Sequence, residues 1–449
     1  MSQPQAAHGK HIILQHNPTK DDTEWKFTLP ATAFSIPPKA KNPELYGKFI
    51  KFTATHITFQ MQLLPNNRIL QSDDKTKFIL LSFGDLRFPE TTLKATAEYM
   101  TRLFKMGLFL NGVQYRFYHH SNSQLRSRSC LLREATSDSV LDERINAWGD
   151  FSKIKSAAKR AKRIGLLFSE AQLDFDLDPK YVKDIEDIKL GDELFSDGCG
   201  LISRRLAVQL AKEKKIIFRG KRYTPTVFQI RYRGYKGVLM LHPQLDALAH
   251  NNKNEQFLVH FRKSMKKFNA TQNNTFSVVD YSAPYSFGRL NNDIIVLLSS
   301  LGITNEKLLA KQQEYFNWIQ NASLDTLHAL DFLSAMDQET LTEGSDSDQS
   351  LASQILLDGV EAPAVAQAIR KLQMRELSGF KNERNQKDRS RMIIRKSRLI
   401  FGVCDPFGVL REGEVHIRIT AGRDGATTPI NGNVLVVRNP CLHPGKGTV

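Results

Sequence analysis

Three aspartates alternate with other residues in Asp174-Phe-Asp176-Leu-Asp178. In an extended strand this spacing puts the three carboxylates on one face, where they could hold a magnesium ion. The alternative is an acidic surface linker, because Pro179 follows directly and the acidic run continues to Asp187. We favour the linker.

A second candidate site is a row of cations that leads into a glycine-rich corner. Residues 226–233 alternate, with Arg231 and Arg233 on one face of the predicted strand and apolar side chains on the other. The corner follows as Gly234-Tyr-Lys236-Gly237. Glycine lets the backbone approach a ligand closely, and cations neutralise phosphate charge. The pattern predicts an exposed, phosphate-binding row.

Other reactive residues give weaker signals. The weaker candidates are Cys441 with His443, His119 with His120, and Asp346 with Asp348. The first pair lacks two further ligands nearby, so a structural role is favoured over a metal site. The histidine pair favours packing or surface exposure, and the aspartate pair favours a solvated loop. The sequence has no GxxxxGK[ST] phosphate loop, no GxSxG elbow and no HExxH helix.

Bulk properties bound the class of partner. The 449 residues carry a net charge of +16, with 41% hydrophobic and 24% charged residues. This balance favours nucleic acid or an acidic membrane surface, and a solvated basic surface without a partner stays open. The apolar runs are too short to cross a bilayer, and residues 1–10 do not resemble a secretory signal, so we expect an intracellular protein. The four scattered cysteines suggest neither a disulfide framework nor a zinc site.

Periodicity divides the chain into regions that must position these residues. The predicted regions are a weakly structured or accessory segment at 1–48, a mixed α/β region at 49–190, a strand-rich region at 191–304, a helical connector at 305–395 and a strand-containing end at 396–449. A basic amphipathic helix is predicted at 150–167. For its lysines and arginines a solvated face is favoured over RNA binding.

An ordered series of short strings runs along residues 60–445. The strings are Pro65-Asn-Asn-Arg68, Tyr115-Arg-Phe-Tyr-His-His-Ser121-Asn-Ser-Gln124-Leu-Arg126, Gly149-Asp-Phe151, Ala161-Lys-Arg163-Ile-Gly165-Leu-Leu-Phe168-Ser169, Phe195-Ser-Asp197-Gly198-Cys-Gly-Leu-Ile-Ser203, Phe228-Gln-Ile-Arg231-Tyr-Arg-Gly234-Tyr-Lys236-Gly237, Arg262-Lys-Ser-Met-Lys-Lys267-Phe268, Leu290-Asn-Asn-Asp-Ile294, Ser397-Arg398 through Gly402-Val-Cys-Asp405, and Val437-Arg438-Asn439-Pro-Cys441-Leu-His443-Pro-Gly445. Each string alone is weak, but the ordered set resembles the eukaryotic, RNA-silencing type of RNA-dependent RNA polymerase.

The resemblance implies a fold and an activity. The fold is mixed α/β (α+β), with the double-psi β-barrel architecture of these polymerases, a complete first barrel, a partial second barrel and helical connectors. The activity is template-dependent nucleotidyl transfer with Mg²⁺, which copies single-stranded RNA into double-stranded RNA for small-interfering-RNA production. The implied partners are a single-stranded RNA template, nucleoside triphosphates and proteins of the silencing pathway, with no membrane and with residence in the nucleus or cytoplasm.

The resemblance also assigns roles to residues. Lys236 and Lys267 would give electrostatic support to nucleotide and product RNA near the active centre. The RNA- or nucleotide-binding residues it implies are Arg231, Arg233, Lys236, Arg262, Lys267 and Arg438. Asp197 and Gly198 are expected to shape a turn. Arg438 and Asn439 are expected either to position the second barrel or to be purely structural.

One departure from the family decides what to expect of this chain. The family's metal-binding Asp-x-Asp-Gly-Asp motif does not occur in the sequence. We therefore expect a polymerase fragment that is truncated before this motif, has no metal site of its own and is inactive alone. The alternatives are a non-catalytic RNA-binding or scaffold protein made from the same remnant, and a fragment that does not fold stably.

Overall fold

The structure, a computed structural model, gives a mixed α/β protein. It describes residues 5–6, 12–15, 25–37, 40, 42–84, 93–171, 173–218, 221–246, 257–270, 274–283, 286–336, 351–378, 391–420 and 427–438. The candidate residues that lie outside this part are Asp346, Asp348, Asn439, Cys441 and His443. Among the helices of the described ranges, none has the length and apolar character needed to cross a bilayer.

Strands are the more numerous elements. In chain order they are β1 (Gln5–Ala6), β2 (Ile12–Gln15), β3 (Lys26–Phe27), β4 (Tyr46–Phe52), β5 (His56–Leu63), β6 (Phe78–Phe83), β7 (Leu108–Leu110), β8 (Val113–His119), β9 (Ser129–Glu134), β10 (Gly149–Asp150), β11 (Leu173–Asp176), β12 (Val182–Ile185), β13 (Lys189–Leu190), β14 (Glu193–Leu194), β15 (Cys199–Ile202), β16 (Ile217–Phe218), β17 (Lys221–Arg222), β18 (Val227–Tyr232), β19 (Tyr235–Leu241), β20 (Val259–Arg262), β21 (Asn269–Ala270), β22 (Thr275–Tyr281), β23 (Gly288–Asn291), β24 (Arg391–Ile394), β25 (Arg418–Thr420) and β26 (Thr427–Pro429). The helices are α1 (Arg68–Ser72), α2 (Leu93–Met106), α3 (Asn122–Arg126), α4 (Asp138–Asn146), α5 (Ala157–Ile164), α6 (Arg204–Glu213), α7 (Asn292–Ser300), α8 (Asn305–Asn321), α9 (Thr326–Met336), α10 (Leu351–Asp358) and α11 (Pro363–Ser378).

The first nine strands form one sheet in the order β1-β2-β5-β4-β6-β9-β8-β7-β3. Residues 1–48 were expected to be weakly structured or accessory, yet β2 and β3 belong to this sheet and Trp25 and Leu29 are buried in its core. That part of the expectation is wrong, because an indole and a leucine side chain gain more by filling the core than by remaining in water.

Successive side chains of the central strands point to opposite faces of this sheet and pack into two separate cores. In β6, Ile79 and Leu81 face the core that contains Trp25, whereas Phe78 and Leu80 face the opposite side. We call the second core the shared core, because it also takes in residues that follow the sheet in sequence. Its members include Phe49, Leu64, Ile69, Phe78, Leu80, Tyr118, Leu131, Phe151, Ile164, Leu167, Phe168 and Phe268.

A second sheet has seven strands in the order β11-β22-β18-β19-β15-β20-β12. It is mixed in direction: β15 runs parallel to β19 and β12 runs parallel to β20, while the other pairs are antiparallel. With β11 and β12 at its edges, the sheet is an open half-barrel in the described residues. The boundary expected between residues 190 and 191 passes through this sheet, because β11 and β12 precede it. We therefore place that boundary before Leu173.

Residues 305–378 are mostly helical in their described part, as the sequence predicts for residues 305–395. Helices α8 to α11 pack around the ribbon of β23 and β24 in one apolar cluster. In the described residues after 395, the strands are the short ribbon of β25 and β26. The apolar run Val434–Val437, in the end that the sequence predicts to contain strands, forms no strand. Residues 396–420 contact the half-barrel through Phe407, whose ring stacks on His242 at 5.3 Å.

The hairpin of β18 and β19 is closed by a tight turn that fixes the geometry of the site. Arg233 and Gly234 both have positive φ, 40° and 84°, which is the pattern of a two-residue type I′ turn. The Lys267 amide donates a hydrogen bond to the Gly234 carbonyl at 2.8 Å. A Cβ atom at Gly234 would lie 2.0 Å from the Phe268 carbonyl oxygen, so only glycine lets the turn touch this segment.

We expect Gly234→Ala to lower the free energy of unfolding by more than about 2 kcal/mol, because left-handed strain adds to a backbone clash. The matched control is Gly112→Ala, in a hairpin turn where Asn111 and Gly112 also both have positive φ, 51° and 82°. A Cβ atom at Gly112 would meet nothing within 4 Å. There the loss should be only about 1 kcal/mol. Thermal unfolding of both variants checks this, and equal losses would contradict the close approach.

Candidate phosphate-binding site

The structure brings together the two lysines that the sequence singles out. Lys236 lies on β19, two residues after Gly234, and Lys267 belongs to the segment that is hydrogen-bonded to the Gly234 carbonyl. The two ammonium groups are close enough for the charge of Lys267 to lower the pKa of Lys236. Lys236 has no acidic partner among the described residues, whereas Lys267 lies 3.8 Å from the Asp197 carboxylate.

Arg231 is the cross-strand partner of Lys236 in the hairpin, so their side chains share one face. The sequence predicts an exposed arginine here, and that is wrong: Arg231 is 9% exposed. One guanidinium nitrogen, Nη1, donates to the Ile230 carbonyl at 2.7 Å, but Nε has no partner. A buried cation that lacks both an acid and a full set of acceptors is costly.

Arg68 explains why Arg231 is buried. It lies at the start of α1, where Asn67 caps the helix, and its guanidinium reaches across to the half-barrel. It donates to Ser277 Oγ at 2.8 Å, to the Thr275 carbonyl at 2.9 Å and to the Arg231 carbonyl at 3.0 Å. The string Pro65-Asn-Asn-Arg68 marked this residue in the sequence, but only the tertiary structure shows that it joins the two sheets.

The basic helix supplies two more cations. It runs only from Ala157 to Ile164, shorter than the predicted 150–167, and its last residue enters the shared core beside Phe268. Because Phe268 follows Lys267 directly, this packing holds the helix against the lysines. The charge of Arg163 acts on both Lys236 and Lys267, and that of Lys159 acts on Lys267.

Three of the arginines implied by the resemblance lie elsewhere. Arg233 donates to Asn274 Oδ1 at 3.0 Å and lines a cavity of about 270 Å³ with Asp184 and Lys266. Arg262 is buried and donates to the Glu186 carbonyl. Arg438 is exposed, and within the described ranges no hydrogen bond or ion pair joins it to the lysines.

A second acid, Asp187, joins the segment that carries Lys267 to the segment that carries Asp197. Its carboxylate accepts from Ser264 Oγ at 2.6 Å, from the Ser264 amide at 2.9 Å and from Ser196 Oγ at 3.0 Å. These bonds outweigh its partial burial, so the pKa of Asp187 falls below its ordinary value. Asp187 therefore fixes the Phe195–Ser203 and Arg262–Phe268 segments to each other. The turn expected at Asp197 and Gly198 is present, with Gly198 at φ 75°.

The acidic residues of β11 do not fit a metal. Asp174 accepts from Gln71 at 3.1 Å and lies near Arg68, while Asp178 caps a helical turn and pairs with Lys180 at 2.9 Å. Asp176 is exposed. No group of three or more histidine, cysteine or acidic residues in the described part of the chain could hold a metal ion. The linker interpretation is wrong for Asp174 and Asp176, because both lie on β11, the edge strand that pairs with β22 in the half-barrel.

The cations of the site are held in unfavourable surroundings. Burial, followed by the charges of Arg231, Arg163 and Lys267, lowers the pKa of Lys236 to about 8. Burial and the nearby Arg68 lower the pKa of Arg231 to about 10. Burial also lowers the pKa of Lys267, against the opposing effect of Asp197. Such a cluster favours a bound anion, which would relieve the repulsion.

Lys236→Met should therefore stabilise the protein at pH 7, by roughly 1 kcal/mol or about 1 °C once solvent screening of the half-buried side chain is discounted. The pKa of Lys236 is about 8 in the folded state and about 10.4 in the unfolded state. The unfolded state binds more protons between these values, so the parent gains stability as pH rises through this window.

The difference in melting temperature between variant and parent should accordingly shrink from pH 7 to pH 10. Lys212→Met, at an exposed lysine of α6, is the matched control and should show no such trend. A difference for Lys236→Met that stays constant over this range would exclude the charge as its cause.

Comparison with known proteins places this chain in a family. A family model described as RNA dependent RNA polymerase matches residues 52–446. Probable RNA-dependent RNA polymerase 1 of Oryza sativa subsp. japonica is 30% identical over 417 residues, covering 88% of this chain and 52% of the relative. RNA-dependent RNA polymerase 1 of Schizosaccharomyces pombe is 27% identical, covering 77% of this chain and 28% of the relative. The chain thus spans about half or less of the length of these curated relatives.

The fold agrees with that placement. The RNA dependent RNA polymerase QDE-1 from Thielavia terrestris superposes with a TM-score of 0.56 at 15% identity, covering 88% of this chain and 47% of that chain. The predicted mixed α/β polymerase architecture is confirmed at the level of the fold. With the family model matching most of its length, this chain belongs to the eukaryotic RNA-dependent RNA polymerase family.

Proposed function

We propose that this chain forms the phosphate-binding half of an RNA-directed RNA polymerase. Its substrates would be a single-stranded RNA template and nucleoside triphosphates, and its product double-stranded RNA for small-RNA silencing. The observation that carries the proposal is the meeting of Lys236 and Lys267 at the Gly234 corner, over a buried Arg231 that has no acidic partner among the described residues.

The lysines would act by electrostatics. In nucleotidyl transfer, negative charge moves onto the leaving pyrophosphate while the new phosphodiester forms. Ammonium groups fixed beforehand stabilise that charge without reorganising during the reaction. The fixed geometry of Lys236 follows from the hairpin, and that of Lys267 from the Gly234 hydrogen bond and from its own bond to the Ser264 carbonyl.

Carboxylates for the metal on which the chemistry depends would come from another part of a complete polymerase. The sequence contains no Asp-x-Asp-Gly-Asp string, and the described residues offer no metal-holding group. The same observation favours a second candidate function, a non-catalytic RNA-binding or scaffold protein. The two candidates share the RNA-binding site and differ in whether added carboxylates restore synthesis.

Charge reversal at the lysine pair tests RNA binding. We expect Lys236→Glu with Lys267→Glu to weaken the binding of a 12-nucleotide single-stranded RNA by at least about 20-fold at about 0.1 M salt. Each lost phosphate contact costs about fivefold there, since log K changes by about 0.7 per decade of salt per contact. Fluorescence anisotropy measures the affinity.

The matched control reverses two exposed lysines of the same region, Lys189 and Lys212. It changes the net charge equally but should weaken binding by no more than about threefold, since it leaves the site intact. An equal loss in both double variants would mean that only net charge matters, and the proposed site would be wrong.

Primer extension tests the catalytic half of the proposal. The 449-residue chain with Mg²⁺, template and nucleoside triphosphates should make no RNA. Adding a polypeptide that carries the family's Asp-x-Asp-Gly-Asp motif should restore synthesis, and Lys236→Glu should abolish the restored activity. Synthesis by the chain alone would contradict the division into two halves. Failure of the added polypeptide to restore it would favour the scaffold function.

A further inference from the structure

The basic helix α5 differs from an ordinary solvated charged face. Its Lys159 and Arg163 are four residues apart, so they lie one above the other on the same side of the helix, about 6 Å apart along its axis. That side is the one whose charges act on Lys236 and Lys267. The side chain of Lys159 is exposed and that of Arg163 is half-buried, so the cations run from the half-buried lysine pair outward to solvent.

The position of α5 is set by packing. Ile164 at its end and Leu167 and Phe168 just beyond it lie in the shared core with Phe151 and Phe268. The rings of Phe151 and Phe268 are 4.7 Å apart, and the strands β10 and β21 that flank them are paired. The end of α5 and the segment of Lys267 and Phe268 therefore pack in the same apolar core.

We propose that Lys159 and Arg163 extend the lysine pair into a track that binds the backbone phosphates of single-stranded RNA. The proposal rests on the proposed function, since the track begins at Lys236 and Lys267. A nucleoside triphosphate would bind at the half-buried lysine pair. A longer polyanion that binds there would also pass the exposed end of α5.

The track should bind RNA without preference for nucleotide sequence. Lysine and arginine side chains contact phosphate oxygens, which are the same at every nucleotide. Among the described residues, Asp197 and Asp187 are the carboxylates whose charges act on Lys267. The track therefore carries a net positive charge that a phosphate backbone would neutralise.

The test compares two double variants of the same helix. Lys159→Gln with Arg163→Gln should weaken binding of a 12-nucleotide single-stranded RNA by about 10- to 25-fold at about 0.1 M salt. The slope of log K against log salt should become shallower by about 1.4, which corresponds to two lost contacts. The loss should be the same for RNAs of different sequence.

The matched control is Arg160→Gln with Lys162→Gln, which removes the same charge from the exposed flanks of α5. It should change RNA affinity by less than about threefold. Uridine triphosphate binding should change by less than about threefold in this control. Equal RNA losses in the two double variants would overturn the track and leave the lysine pair intact.

The outcome is separable from failure of the proposed function. If Lys236→Glu with Lys267→Glu leaves RNA binding unchanged, the proposed function fails, whatever α5 does. A readout without RNA checks the geometry: Arg163→Gln should raise the pKa of Lys236, because the Arg163 charge helps to lower it. The pH dependence of Lys236 acylation, followed by mass spectrometry, measures this, and Arg160→Gln is the control. An unchanged pKa in Arg163→Gln would show that Arg163 does not face the site.

Discussion

The contact between the Gly234 corner and the backbone of Lys267 and Phe268 is the constraint on which the rest of the site depends. It needs a residue without a Cβ atom in the left-handed region, because any side chain would overlap the Phe268 carbonyl. One hydrogen bond, from the Lys267 amide to the Gly234 carbonyl, then fixes the register between two segments about thirty residues apart. Lys236 on one segment and Lys267 on the other are neighbours for this reason.

The positive charges at this site are less well solvated and paired than those on an ordinary protein surface. Exposed lysines and arginines usually gain from water and from nearby acids, whereas here Arg231 is buried with an unpartnered Nε, and Lys236 has no acidic partner in the described part of the chain. Burial and mutual repulsion lower the pKa of both residues. The protein therefore holds positive charge at a cost in stability, as is expected where an anion binds.

Two sheets share the task of holding this charge in place. The nine-stranded sheet forms one side of the shared core. Arg68 of α1 donates hydrogen bonds to the Thr275 and Arg231 carbonyls of the half-barrel. The half-barrel contributes the hairpin, and Asp187 ties its loops together through Ser196 and Ser264. Rigid elements on both sides explain how cations from distant parts of the sequence can face one another.

Local patterns in the sequence determined the elements and the family. Strict alternation predicted the apolar face of β18, because periodicity acts over a few residues. The glycine-rich corner, Gly234 to Gly237, is also a local pattern, and it identified Lys236 as a candidate. Tertiary structure alone decided that Arg231 is buried under Arg68, that Arg233 and Arg262 turn away from the lysines, and that α5 meets them. Those outcomes depend on contacts between residues about 40 to more than 200 positions apart, and no local pattern encodes which charged face another element will cover.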